Sequence, residues 1–537
     1  MSHSQGFLGA LLPAPVRLPR MSAPLWLAAI ALTAVAALVP GIWSLAGLAA
    51  LIAGLLILFK PEVAIYLLAF SVPLGSLAVG DRESSSFAVG PTEAIAGLLA
   101  VGWIARSLAR KRLVVPFTPL SIPLLGMVII VALSGFQATN LALTLKETLK
   151  WLELVLVYLF IVAEMGTTRQ ALTLLLLLLA GAATEALVGT VQFVLGIGPE
   201  FFAIGRFMRA YGTFDQPNPY AGYLGMLIPL AVGLLLSRPS PRVRNYTLAT
   251  GLLAVAAVGM SLSRGAWVGI ALGLFLMMLF WSRRSRVLFS IGLIAAIPLG
   301  TMAFMNVLPS EVSSRLATAL DYFRFIDVTK EEVTTQNWAV IERVAHWQAA
   351  IDMIRAHPLF GVGAGNYPAV YEWYAVQGWP EALGHAHNFY LNMAAETGIP
   401  GLLVYLSFVL TALVSAMVWL TRSGKLPDLT PQPPSPRGNG ESAPLPVSGR
   451  RGHALWHVHG GRGHHSPLFW RGILLGVLGS LVASSVHNMF DNLFVHSMSV
   501  QLGMILGLAQ LSANALFSKT SRPAPTSSFG VNSLHEQ

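Results

Sequence analysis

Apolar runs of about twenty residues recur along most of the chain, separated by short polar or turn-forming stretches. A helix rises 1.5 Å per residue, so about twenty apolar residues match a bilayer core of roughly 30 Å. The pattern predicts membrane-spanning helices at residues 23–40, 41–59, 62–79, 92–109, 119–137, 148–164, 170–196, 218–237, 245–262, 264–282, 286–305, 396–420, 471–490 and 495–517. The first two runs share Pro40-Gly41 and read equally as a re-entrant pair, and the start of the run near Thr144 is ambiguous. We therefore expect about 12 to 14 spans.

Two long polar segments interrupt this pattern. Residues 306–395 mix Trp, Tyr, Arg and acidic side chains, whereas residues 421–470 are rich in Pro, Gly, Arg and His. A segment of the second composition cannot bury a core, so we predict a disordered insertion there. The resulting domains are a cytoplasmic tail (1–22), a helix bundle (23–305), an extracytoplasmic catalytic loop (306–395), one span (396–420), the cytoplasmic insertion (421–470), two spans (471–517) and a cytoplasmic tail (518–537).

Composition supports the same class of protein. The chain is 55% hydrophobic and only 11% charged, while a soluble domain carries roughly 25% charge. The fold class expected is therefore an all-α, polytopic membrane helix bundle with one large extracytoplasmic loop that contains helices. Without cysteine, neither a disulfide framework nor a thiolate metal site can form.

The net charge of +10 does not indicate nucleic acid, because the basic residues punctuate the apolar runs instead of forming one stripe. With the N-terminus in the cytoplasm, about two thirds of the Lys and Arg residues fall on the inner side, as the positive-inside rule requires. We expect the first span to be retained and not cleaved as a signal peptide.

Several arginines nevertheless fall on the outer side of this topology. Arg206 and Arg209 precede one span, Arg264 lies at the junction of two, and Arg343 and Arg355 lie in the outer loop. A guanidinium suits bidentate phosphate binding, so an anionic ligand would explain them. The alternative is that they snorkel to lipid headgroups.

The outer loop contains a predicted helix from Trp338 to His357, which Pro358 ends. Arg343, His346 and His357 project within about 60° of one another on it. This face is either functional or an ordinary solvated face. Three glycines follow in five residues, at 361–365, and their turn either exposes amides to an anion or is a plain turn.

The segment after this turn carries titratable groups near the next span. It reads His385-Ala-His387-Asn388, followed by Glu396 and Gly398-Ile-Pro-Gly401. A histidine at a membrane boundary can titrate near neutral pH. His385 and His387 also form a candidate metal pair, but no third ligand stands at a recognisable spacing, so we expect no metal.

The arrangement His387-Asn388, nine residues, Gly398-x-x-Gly401 resembles the signature of the O-antigen ligase and polymerase superfamily. Further segments resemble the family at Gly212–Tyr220, Ser263–Trp267 and Arg343–Gly363, and weakly at His487–Asp491. Members are multi-pass proteins of the bacterial inner membrane with one large periplasmic loop.

The resemblance implies transfer of a glycan from an undecaprenyl-diphosphate carrier to a hydroxyl of an acceptor glycan or glycolipid, without metal or other cofactor. Arg264 and Arg343 would clamp the diphosphate, and His387 would be the general base. Substrate-binding roles would fall to Arg206, Arg209, Arg355, Asn388 and Glu396, with Glu396 either orienting His387 or capping the following span.

Alternative functions remain at this point. A polymerase of the same superfamily differs only in its acceptor, and no residue in the sequence identifies that acceptor. A bicarbonate or solute carrier requires ionisable groups near mid-span, for which Glu185 and Gln192 are the candidates. A structural or assembly protein would not need a histidine and two arginines on one side.

Overall fold

The computed structural model describes residues 42–74, 90–112, 114–282, 284–287, 290–291, 294, 328, 331–334, 337–424 and 467–517. Apart from one short hairpin, the regular structure in these residues is helical, as predicted. The N-terminal tail, the first predicted span, most of the span at 286–305, residues 306–327, most of the 421–470 insertion and the C-terminal tail lie outside the described residues.

In the part of the chain that the structure describes, nine helices precede residue 282, and proline opens three of them at a first-turn position where no N–H is needed. A hairpin of β1 (Ala203–Ile204) and β2 (Phe207–Met208) follows the sixth. The helices are α1 (Ile42–Phe59), α2 (Glu62–Leu74), α3 (Pro91–Ala109), α4 (Ser121–Leu133), α5 (Leu141–Glu164), α6 (Thr168–Leu195), α7 (Pro217–Leu236), α8 (Pro241–Ser261) and α9 (Arg264–Trp281).

Five further helices with defined bounds follow among the described residues: α10 (Trp338–Ala356), α11 (Tyr367–Val370), α12 (Phe389–Ser423), α13 (Pro467–His487) and α14 (Met498–Phe517). The predicted helix in the polar segment is confirmed as α10 and ends one residue before His357. Short 3-10 turns lie at Ser134–Gln137, Glu200–Phe202 and Tyr371–Trp373.

Two helices begin earlier than the hydrophobic pattern indicates. Helix α5 starts seven residues before position 148, because the Asn140 side chain accepts a hydrogen bond from the Ala142 amide and caps it. Helix α12 starts at Phe389, where Asn388 caps it, and it is broken at Gly398, whose φ is +75°. Only the part after Gly398 corresponds to the predicted span at 396–420.

Eight of the described helices are long and apolar enough to cross a membrane: α3, α6, α7, α8, α9, α12, α13 and α14. Shorter apolar helices occur at Ala50–Phe59, Glu62–Pro73 and Ser121–Gln137. The protein is therefore a multi-pass membrane protein.

Glycines allow the central helices to pack closely. Helix α13 crosses α9 where Gly269 and Gly273 face backbone oxygens of Ala483 and Gly479, and a Cβ at either glycine would clash with them. Small residues at helix interfaces let backbones approach in this way in membrane proteins. Helices α7, α13 and α14 are mostly buried inside the bundle.

One end of the bundle gathers the polar segments. The start of α9 lies there because the backbone of Gly265 packs on the His487 ring at the end of α13. The start of α12 joins them, since the Phe389 amide donates to the Asn488 carbonyl at 2.8 Å. The segment from α10 to α12 forms its own small core, which includes Met353, Tyr371 and Ala395.

Candidate functional site

A cluster of three histidines and one aspartate occupies this end of the bundle. His385 Nε2 lies 3.4 Å, and His387 Nδ1 3.8 Å, from Oδ1 of Asp491. The rings of His385 and His387 are 4.6 Å apart, and His346 lies 5.5 Å from His387, centroid to centroid. The four side chains come from α10, the loop before α12 and the α13–α14 linker.

Two His-Asn sequences meet to form the cluster. Asn388 follows His387 and caps α12, since its side-chain oxygen accepts from the amides of Tyr390 and Leu391. Asn488 follows His487, and its side-chain oxygen accepts from Leu493 N at 3.0 Å. The Asp491 amide donates to the His487 carbonyl, so this turn places its carboxylate beside His387.

His387 has an unfavourable backbone conformation and buried ring nitrogens that lack hydrogen-bond partners. Its φ of +49° lies in the left-handed region, which non-glycine residues rarely adopt. Both of its ring nitrogens are buried without a hydrogen-bond partner, as is Oδ2 of Asp491. Buried polar atoms normally find partners, and strained backbone persists mainly at functional sites. These features mark His387 as a group prepared to bond with something other than its protein neighbours.

Aromatic side chains from α11 and the following 3-10 turn pack against His346 of α10. His346 is 1% exposed and stacks on Tyr371 with ring centroids 4.6 Å apart. Its Nδ1 lies 3.1 Å from the hydroxyl of Tyr367. His357 instead bonds to the Tyr374 hydroxyl, also at 3.1 Å. The α10 face that carries His346 is therefore buried at this point, and the interpretation as a solvated face is wrong there.

Burial and charge set the protonation states of the cluster. Burial, with the charges of the neighbouring histidines, lowers the pKa of His346 to about 3. Burial and His387 lower the pKa of His385 to about 4. Burial raises the pKa of the Asp491 carboxyl, but the neighbouring His387, His385 and Arg343 outweigh it and hold that pKa below its usual range. At neutral pH the cluster therefore contains neutral His346 and His385 beside an ionised Asp491.

Arg343 and Arg264 approach the cluster from different helices. The Arg343 charge acts on His385 and Asp491, so this arginine lies within electrostatic range of both. Arg264 is exposed at the first position of α9, directly before the glycine that packs on His487. A helix N-terminus favours anions because its amides and dipole are positive. Arg343 therefore acts electrostatically on the cluster, and Arg264 is next in sequence to a residue that packs against His487.

Three further predicted arginines have other surroundings. Arg206 is exposed at the turn between β1 and β2, and its guanidinium lies 4.9 Å from the Phe207 ring. Arg209 donates to the Ser261 carbonyl at 2.7 Å and to Asn218 at 2.9 Å. Arg355 pairs with Asp352 on the exposed surface, about 18 Å from Arg343 along α10.

Glu396 does not orient His387 through any contact in the described residues. Its carboxylate accepts from the Tyr367 amide at 3.2 Å and from the backbone of Gly365. The amides of the glycine turn before α11 therefore bond to a carboxyl group of the chain itself, whose pKa burial raises to about 7. Gly361, Gly363 and Gly365 all have positive φ, as the sharp turn requires.

Glu185 and Gln192 in α6 hold the loop that precedes α7. Glu185 accepts from the amide and hydroxyl of Thr213, both at 2.9 Å. Gln192 donates to the Gly212 carbonyl and accepts from the Gly212 amide, both at 2.7 Å. These two polar side chains are therefore buried because they hold the loop before α7 in place through hydrogen bonds.

The cluster also meets the ligand count of a metal site. One ligand atom each of His385, His387 and Asp491 lies within 4.8 Å of the others. Asp491 is thus the third ligand that the sequence spacing did not reveal. The adjacent Arg343 guanidinium opposes a second cation at the same place.

Sequence reasoning missed the importance of Asp491, although the His-Asn-Met-Phe-Asp run at 487–491 contained the signal. A second His-Asn pair followed by an acidic residue resembles His387-Asn388, and only the packing of α12 on the α13–α14 linker brings the two together. His346 was identified by its helix face, but its burial depends on Tyr371, which no local pattern indicates.

Comparison with known proteins finds a family similarity in one segment of the chain. Residues 249–406 match a protein-family model described as O-Antigen ligase. The matched segment begins in α8, ends in α12 and contains Arg264, Arg343 and His387, whereas Asp491 lies beyond it. Among curated proteins, none matches the chain. Residues 249–406 are thus similar to the O-antigen ligase family, and this similarity supports a membrane glycan transferase of the ligase or polymerase type.

Proposed function

We propose that the protein transfers a glycan from an undecaprenyl-diphosphate carrier to an acceptor hydroxyl at the extracytoplasmic face of the bacterial inner membrane. The observation that carries this proposal is the state of His387. Its ring nitrogens are buried and unpartnered, next to the Asp491 carboxylate and in the neighbourhood of Arg343. A proton acceptor and an anion-binding cation side by side are what glycosyl transfer from a diphosphate needs.

In the proposed step, the acceptor hydroxyl oxygen attacks the anomeric carbon of the carrier-linked sugar. A new carbon–oxygen bond forms while the bond from that carbon to the diphosphate oxygen breaks. The electron pair of the broken bond leaves with the diphosphate, and the hydroxyl proton passes to a ring nitrogen of His387. Oxidation states do not change, and no metal enters the step.

Asp491 supports this step by stabilising the positive charge that His387 gains. An ionised carboxylate near the imidazole favours the protonated ring. Charge from Arg343 and the α9 N-terminus with Arg264 would stabilise the leaving diphosphate. Arg206, Arg209, Arg355, Asn388 and Glu396 remain candidates for substrate binding. Of these, Arg355 is the weakest, because it is exposed and paired with Asp352.

A polymerase would use the same chemistry with a second carrier-linked glycan as its acceptor. A function as a solute carrier receives less support. The side chains of Glu185 and Gln192 in α6 hydrogen-bond to Gly212 and Thr213, so these bonds already explain why the two polar groups are buried.

Analysis of surface glycans in a deletion strain tests the proposal. Loss of polymer attachment, restored by the wild-type gene, is expected for a ligase, and caps of a single repeat are expected for a polymerase. An unchanged glycan profile with impaired solute uptake would contradict both and favour a carrier.

A further inference from the structure

A cavity of about 510 Å³ opens beside the histidine cluster. It lies between α4, α5, α12 and the segment before α7, and His385 forms part of its wall. Since the His385 and His387 rings are 4.6 Å apart, the cavity reaches the immediate neighbourhood of the proposed base. A volume of this size accommodates one or two sugar rings.

Carboxylates dominate the charge of this cavity. Glu147, Asp215 and Glu396 line it, and Lys150 is its one cation among the described lining residues. Lys150 is itself paired with Glu147. Arg264 and Arg343, which serve the proposed diphosphate site, are not part of the described lining. Burial raises the pKa of Glu396 to about 7, and the pairing of Lys150 with Glu147 leaves the described lining without an unpaired Lys or Arg to hold a diphosphate. The cavity therefore suits a substrate part that carries no negative charge.

The remaining polar groups suit sugar hydroxyls. Amide side chains of Gln216, Asn392 and Asn492 line the cavity. The oxygens of Asn392 and Asn492 already accept backbone amides, and their NH₂ groups are further donors. The Ser499 hydroxyl also lines it and is buried without a hydrogen-bond partner. A buried hydroxyl in that state needs a partner from outside the chain, and a ligand hydroxyl supplies one.

We propose that this cavity is the acceptor subsite, and that it binds a neutral sugar or an amino sugar whose hydroxyl is presented to His387. The inference rests on the proposed function, because only a transferase requires an acceptor. It adds that donor and acceptor are separated by charge. The diphosphate lies on the arginine side of the histidine cluster, and the acceptor sugar lies on the carboxylate side.

Asp215→Asn is the first test. Asp215 has a φ of +57°, a conformation that asparagine also tolerates, so the substitution removes charge while keeping shape. Kinetics would use purified protein with two lipid fractions from the deletion strain, one containing the carrier-linked glycan and one the unmodified acceptor. The KM for the acceptor fraction should rise about tenfold, as expected for loss of a charged hydrogen bond, while the KM for the donor fraction stays within about twofold. Asp352→Asn on the exposed surface of α10 is the matched control and should change neither value.

A second variant keeps the test informative if Asp215→Asn fails to fold. The natural chain has no cysteine, so Gln216→Cys provides a single labelling position in the cavity wall. Gln216 is exposed, and its side chain makes no capping bond at the start of α7. Reaction with a benzyl methanethiosulfonate should slow transfer at least about tenfold, and the acceptor fraction should protect the cysteine from the reagent. Glu372→Cys, exposed on the Tyr371–Trp373 turn, is the labelling control.

The outcomes separate the two proposals. Protection by the donor fraction instead of the acceptor fraction, or a rise in donor KM alone, would overturn the acceptor assignment while leaving transferase activity intact. If the wild-type protein forms no product from the two fractions, the proposed function itself fails, and the acceptor subsite fails with it.

Discussion

Nδ1 of His387 and Oδ1 of Asp491 lie 3.8 Å apart, and the aspartate side chain is 2% exposed. One residue precedes α12 and the other lies between α13 and α14, so their approach depends on the packing of these elements. The distance is longer than a hydrogen bond, but catalytic hydrogen bonds are often loose until substrate binds. A buried carboxylate at this position is placed to support a positive charge on the imidazole.

Asp491→Asn should lower the rate of glycan transfer by about 10²-fold or more, because the variant cannot stabilise the protonated base electrostatically. Protein abundance in the membrane should be kept, since the side chain retains its size. The rate is measured with saturating lipid-linked donor, and Asp352→Asn serves as control. An Asp491→Asn protein with wild-type turnover would remove the carboxylate from the mechanism.

Arg343→Lys should lose most of the activity, by about tenfold or more, although the charge is kept. Lysine is a point charge, and it cannot make the bidentate contact with phosphate oxygens that a guanidinium makes. Arg244→Lys is the control and should have no effect, because Arg244 is exposed on α8 and bonds to the neighbouring Asn245. Full activity of Arg343→Lys would indicate a point-charge or purely structural role.

Acidification should destabilise the cluster through its neutral histidines. The pKa of His346 is lowered to about 3 and that of His385 to about 4 in the folded protein, against roughly 6.5 in the unfolded chain. Because the unfolded chain binds the protons first, stability is fully present above pH 6.5 and is lost as pH falls from there towards 4. Between pH 7 and 5 each histidine contributes a loss of about 2 kcal/mol.

The measurement is thermal unfolding in detergent at pH 7 and pH 5, for the wild type and for His346→Gln. Glutamine can keep a bond to the Tyr367 hydroxyl but does not titrate, so its Tm should fall less on acidification. Equal pH dependence in the two proteins would show that His346 is not protonated during unfolding in this range.

Metal removal should leave transfer unaffected. Incubation with EDTA followed by gel filtration is expected to change the rate by less than about twofold, because arginine charge stabilises the leaving diphosphate in the proposed step. Loss of activity that zinc restores would instead assign His385, His387 and Asp491 as metal ligands, a role that their spacing permits.

The membrane class, the family and α10 could be predicted from sequence because each rests on a local pattern. Apolar run length predicted most spans, and helical spacing before Pro358 predicted the helix that carries Arg343. The early start of α5 escaped prediction because its charged first turns, at Lys146, Glu147 and Lys150, conceal the apolar period.

Only part of the candidate site could be predicted from the sequence, because the residues that form it are far apart along the chain. His387 follows from its motif, whereas Asp491 comes near it through the packing of α12 on the α13–α14 linker, where the Phe389 amide donates to the carbonyls of Asn488 and Asp491. Likewise, the amides of the glycine turn suggested an anion site, and only the folded chain reveals that Glu396 occupies it. The side chains that line the acceptor cavity come from at least four separate segments, and no sequence pattern joins them.

The most direct test of the central claim is the rate of glycan transfer by His387→Ala, measured with purified protein and the two lipid fractions of the deletion strain. Without its proton acceptor the enzyme should lose at least about 10²-fold in turnover, while the protein remains membrane-inserted and still binds the carrier-linked donor. Wild-type turnover by His387→Ala would contradict the assignment of His387 as the base, and with it the proposed mechanism.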